Sequence, residues 1–101
     1  MDRKVIWSKE ALFDLESIIA YIARDSHFYA TAVAQEILEA SHSLAQFAHR
    51  GRMVPEFGHS HVRELFIREY RLIYNVQTMK VVILTLIHGK RDSTRFLQNL
   101  R

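Results

Sequence analysis

The sequence predicts an α+β domain of element order β-α-α-β-β-β, a helical hairpin packed on one face of a mainly antiparallel sheet. Three observations carry this. Two apolar stripes at helical spacing, one over residues 8–24 and one after it, are separated only by "RDSH". Three strand-like runs follow, about 62–67, 70–76 and 80–87, joined by "RE" and "QTM", links of hairpin length. The chain of 101 residues supplies one modest core, so residues 1–101 are read as a single domain.

The elements can be justified in order. "KVIW" is a short strand ended by Ser8, a helix N-cap, with Glu10 and Asp14 near the positive end of the helix dipole. Ala11, Leu12, Leu15, Ile18, Ile19 and Ile22 then recur at helical spacing. In "RDSH" either Asp25 or Ser26 can cap the second helix. Its stripe of Ala30, Val33, Ala34, Ile37, Ser41, Leu44, Ala45 and Ala48 is rich in alanine, which lets two antiparallel helices approach closely. "HRGRMVPEFGHSH" holds two of the three Gly and the only Pro, and reads as a loop. Gly89 ends the last strand, and "KRDSTRFLQNLR" is a basic tail.

Composition narrows the function classes. With 49 % apolar and 25 % charged residues the chain is an ordinary globular protein, not a disordered one. It has no Cys, which excludes disulfides, thiolate metal sites and thiol nucleophiles, and fits a reducing compartment. "VVILTLI", the longest apolar run, is far short of the ~20 residues of a membrane span, so a cytoplasmic location is expected. The net charge of +3 is unevenly placed. Residues 1–49 hold four Lys/Arg against seven acids, net −3, and residues 50–101 hold ten against four, net +6. Such asymmetry suggests an anionic partner for the second half.

Two strand-like runs, "VRELFI" and "YRLIYNV", each carry an arginine. Alternation sets Arg63 with Leu65 and Ile67, and Arg71 with Ile73 and Asn75. A helical hairpin covers one sheet face only, so the arginines are expected on the other, uncovered one. His88, Lys90 and Arg91 arrive in "IHGKRD" as the next strand ends. The expectation is a cationic hollow in which Arg63, Arg71 and Arg91 converge to grip phosphate or carboxylate.

The combination "VIWSKEALFDLESIIAYIA", "GRMVPEFG", "VRELFIREYRLIYNV" and "VVILTLIHGKRD" resembles the ParE/RelE superfamily of bacterial toxins from type II toxin–antitoxin (plasmid stabilisation) systems. The likeness runs from about residue 4 to residue 92, and its wording is closer to ParE-like members. It implies a growth-inhibiting toxin neutralised by a cognate antitoxin, without a cofactor. ParE-like members act on DNA gyrase, and for such a target the resemblance points to Arg63, Arg71, Lys90, Arg91 and Arg95. RelE-like members cleave mRNA on the ribosome. In that alternative Arg63, Arg71 and Arg91 would stabilise phosphorane charge and His88 would move the proton. "DSTRFLQNLR" offers Phe96 but neither the Tyr nor the His that those nucleases place near the C-terminus. An alternative of another class is a non-toxic nucleic-acid-binding module, though no recognition-helix or RNP-type pattern is present.

Phe13 points nearly opposite the Leu12/Leu15/Ile19 stripe, alongside Ser17, Ala20 and Arg24. An exposed aromatic beside small residues is a seat for the antitoxin, whose segment is expected to bring apolar knobs and acidic residues. His42, His49, His59 and His61, with no Cys and no fixed carboxylate, make a poor metal-ligand set, and none is expected.

Overall fold

The computed structural model describes residues 2–58 and 60–89. Strand β1 (Lys4–Trp7) passes directly into α1 (Lys9–Ala23), because Ser8 between them accepts the Ala11 N–H at 3.0 Å and so caps the helix. Helix α2 (His27–Ser43) starts in the same way: Ser26, not Asp25, accepts the Tyr29 N–H at 3.0 Å. Ser26 caps α2 only three residues after α1 ends at Ala23, so the reversal leaves little slack, and the helices pack side by side. Their contact line uses Ala11 and Ile22, both buried, with Leu15, Ile18 and Ile19 partly so, while Leu12 lies outside it at 44 % exposure. The α2 stripe runs through Ala30, Val33, Ile37 and Ser41 and continues past the helix end, where Leu44 and Ala48 are buried in the turns that follow.

The sheet has the order β1-β5-β4-β3-β2. β3 (Val62–Ile67), β4 (Tyr70–Val76) and β5 (Lys80–His88) form the expected antiparallel meander. β1 lies parallel to β5, from Lys4 opposite Lys80 to Trp7 opposite Ile83. The link that this parallel pairing requires is the helical hairpin together with the strands between it and β5. β2 (Arg52–Met53) pairs with β3 inside the stretch read as a loop; two residues are too few to carry an alternation signal.

The main core lies between hairpin and sheet, with Val33, Ile37 and Leu44 against Leu65, Leu72, Tyr74, Ile83 and Leu86. The other sheet face is not open as expected. Val54 joins Val62 and Ile73 in a second buried cluster, with Phe57, Leu84 and Ile87 partly buried against it. The segment after β2 therefore roofs part of that face.

One turn shows how tightly this end of the sheet is closed. The Gly51 N–H donates to Tyr74 Oη at 3.0 Å, in a buried site. A Cβ on Gly51 would stand 2.5 Å from the Glu64 carbonyl oxygen and 2.6 Å from Tyr74 Oη. Gly51→Ala is expected to destabilise the fold by about 1–3 kcal/mol, measured by urea unfolding. Burial also raises the Tyr74 phenol above its ordinary range, only partly offset by the Gly51 bond, and raises Tyr70 through desolvation. A folded-state pKa above the unfolded value of ~10 gives stability that is complete below that pH and lost as pH rises beyond it. Alkaline titration of stability should thus show a decline that Tyr74→Phe makes shallower.

Candidate functional site

Register decides the fate of the arginines. Arg63 lies opposite Tyr74, on the helix-covered face, whereas Arg71 lies opposite Phe66 and Ile87 on the far face. They do not converge. Arg63 donates through Nε to the Ser60 carbonyl at 2.8 Å, and through Nη1 to the carbonyls of Gly51 at 2.8 Å and His49 at 3.3 Å. Its guanidinium clips the two ends of the long loop to the start of β3.

Arg71 is on the far face as expected but is only 6 % exposed. Its Nε and Nη2 both donate to Glu64 Oε1, at 2.8 and 2.5 Å, and Nη2 also approaches Glu56 Oε2 at 3.3 Å. The other Glu64 oxygen accepts from Arg52 Nε at 2.6 Å, and Arg52 stacks on Phe66 at 5.0 Å. Burial works hardest against the Arg71 charge, and the bonds to Glu64 and the nearness of Glu64 and Glu56 outweigh it, raising its pKa above the ordinary arginine value. Two guanidinium groups thus face two carboxylates. The expected cationic hollow is, among the described residues, a charge-balanced network with Glu64 and Arg71 buried at its centre and Arg52 exposed at its rim. Arg91, Lys90 and Arg95 lie outside the described residues.

The α1 surface fares differently. Phe13 is 70 % exposed, and Ser17, Ala20 and Arg24 are exposed beside it, as expected from the helical period. A second aromatic that the sequence reading passed over, Tyr21, is 67 % exposed two turns on, and Arg24 lies 5.9 Å over its ring. Phe13, Ser17 and Tyr21 line an open groove of about 630 Å³ whose other wall is Tyr70, Leu86, Ile87 and His88. His88 meets the Tyr70 ring edge-on at 5.9 Å and has Glu69 Oε2 3.9 Å from its Nε2.

The groove exists because β1 is short. Beyond Trp7 the chain turns into α1, so β5 from Leu84 onward has no neighbouring strand on that side. A bulge there changes the register between Ile73 and Tyr74 of β4. Asp14 takes over from the missing strand: its Oδ2 accepts the Leu86 N–H at 3.1 Å and the Thr85 hydroxyl at 2.7 Å. The sequence signal for this was an acid one turn inside an otherwise apolar helix flank, and it was read only as a dipole partner. Among the described residues no three His, Cys, Asp or Glu side chains are gathered as a metal ion requires, and no helix is long and apolar enough to cross a membrane.

Residues 5–93 match the family model of the ParE toxin of type II toxin-antitoxin system, parDE. No curated protein matches the chain. Among solved structures, a chain of the chromosomal ParDE TA system from P. aeruginosa is similar at 23 % identity and a TM-score of 0.71. That likeness covers 87 % of this chain and 97 % of the other, and it supports the fold.

If Glu64 and Arg71 hold the far face together, removing one must cost more than removing both. Arg71→Ala leaves the buried Glu64 carboxylate with only the exposed Arg52 as ion-pair partner and is expected to destabilise by about 3 kcal/mol. The double variant Arg71→Met, Glu64→Met buries no charge and should be distinctly more stable than Arg71→Ala in urea unfolding. Equal stability of the two would remove the structural role of the pair.

Proposed function

The chain belongs to the ParE toxin family of type II toxin–antitoxin systems, and on that premise we propose that it arrests growth by acting on DNA gyrase and is held silent by a cognate antitoxin. The observation that carries this reading is the engagement of Arg63 and Arg71 within the fold. Arg71 donates to Glu64 and Glu56, and Arg63 to three backbone carbonyls. Anchored in this way, neither guanidinium is presented to a scissile phosphate. A gyrase poison asks for a binding surface, not for a proton-transfer site. In this reading the target-facing cations are Lys90, Arg91 and Arg95, while Arg63 and Arg71 act by keeping the sheet in register. Cytoplasmic residence follows from such a target.

The antitoxin is proposed to seat on α1. Phe13, Ser17, Ala20 and Arg24 give an exposed helix face, and the groove beside it adds Tyr21, Tyr70 and His88. An apolar knob entering between Phe13 and Tyr21 removes from water two rings that the folded chain alone leaves exposed.

A second reading, ribosome-dependent mRNA cleavage, rests on one cluster. His88 stands beside Glu69 and Tyr70 at the groove end, an imidazole with a carboxylate and a phenol at hand. Controlled expression separates the two. Gyrase-dependent DNA breaks with intact transcripts are the expected outcome, and codon-phased mRNA cuts would move the assignment to the nuclease. Within the first outcome, replacing Lys90, Arg91 and Arg95 together by Ala should abolish breakage and leave the unfolding midpoint unchanged. Phe13→Ala should weaken antitoxin binding by about tenfold or more, the loss typical of a buried aromatic anchor, without changing thermal stability.

A further inference from the structure

The groove continues past Tyr21, Tyr70 and His88 into a second cleft of about 340 Å³ lined also by Asp25, Tyr29 and Glu69. The charge of this combined surface is opposite to that of the chain. Among the described residues its lining includes the carboxylates of Asp14, Asp25 and Glu69 and neither Lys nor Arg, in a protein of net charge +3. Asp14 is spent on β5. Among the described residues Asp25 makes no ion pair, and Glu69 has only the 3.9 Å approach of His88.

Of the described cations beside Asp25 and Glu69, one is neutralised and one offsets the acids only in part. Arg68 is held by Glu36, with one bond at 3.1 Å, and stacks on Tyr29 at 5.0 Å; Arg24 stacks on Tyr21. Arg24 keeps its charge at the rim, and against it stand two exposed carboxylates, Asp25 and Glu69, in a concavity walled by three tyrosine rings, two of which already carry a guanidinium. Low-dielectric walls focus the field of such carboxylates, and tyrosine faces attract a cation.

Building on the antitoxin reading above, we propose that this cleft receives a basic side chain of the antitoxin. An apolar residue of the docked segment lies between Phe13 and Tyr21, and an Arg or Lys further along the same segment meets Asp25 and Glu69 among the tyrosines. The acidic partner that the overall composition suggests is thus reversed at this point of contact. The pairing also sets direction, since the apolar seat and the acidic cleft lie at opposite ends of the groove and only one orientation of a segment satisfies both.

The test is binding of the purified antitoxin, taken from the reading frame adjoining this one, to the full chain and its variants by calorimetry at low and high salt. Asp25→Asn and Glu69→Gln should each weaken binding about three- to tenfold at low salt, with the loss shrinking as salt rises. Asp25→Lys combined with Glu69→Lys should weaken it further, and an acidic replacement of the antitoxin's basic residue should restore it. Both positions are exposed, so thermal midpoints should not move. Unchanged or tighter binding by the neutralised variants, alongside a loss in Phe13→Ala, would overturn the charge assignment and leave the docking reading standing. If Phe13→Ala also binds like the parent chain, both fall.

Discussion

The pairing of Glu64 with Arg71 is the constraint around which the far side of the sheet is organised. Neither group could be buried alone, because an unpaired charge in such a setting costs several kcal/mol. Side by side on adjacent antiparallel strands, they satisfy each other and fix the register in which β3 and β4 meet. Arg52 then brings β2 to the free oxygen of Glu64, and Glu56 brings the roofing segment to the free side of Arg71. Two loop positions are thus tied to the sheet through charges at its centre. The apolar contacts of Val54 and Phe57 with Ile73 and Leu84 close over what the charges have positioned.

The helix side follows a different logic. There the packing is mainly apolar, with Ser41 among the buried side chains, and polar groups appear chiefly where backbone would otherwise go unpaired. Ser8 and Ser26 cap helices, and Asp14 accepts the β5 amide left without a strand. Arg68 is a further case: it adopts a left-handed φ of 56° in a two-residue hairpin loop, a conformation that favours glycine. Its side chain compensates by reaching Glu36 and Tyr29 on α2, tying the hairpin tip to the second helix.

The fold was legible because its elements are long enough for their periods to show, and the caps lie at residues with one obvious role. β1, the first helix and the three meander strands lie where spacing put them, within a residue or two, whereas the second helix ends at Ser43, short of the stripe that runs on to Ala48. β2 was not legible, since pairing of two residues depends on Arg52 finding Glu64 and not on local pattern. The arginines were misjudged for a related reason. Alternation assigns a side chain to a face but is silent about which acids share that face, and Glu64 sat in the same quoted run as Arg63. Phe13 was legible because exposure opposite a stripe is itself a periodic property. The groove was not, because its second wall comes from β5, some seventy residues away in the chain.

The parallel union of β1 with β5 carries a consequence for how the protein is made. Lys4 waits for Lys80, so during synthesis the first strand has no partner until the helices and the other three strands have been made. Pairings of such separation form late and slowly. The helical hairpin emerges earlier but has no completed sheet to lie on, so the core between hairpin and sheet closes only once β5 is available.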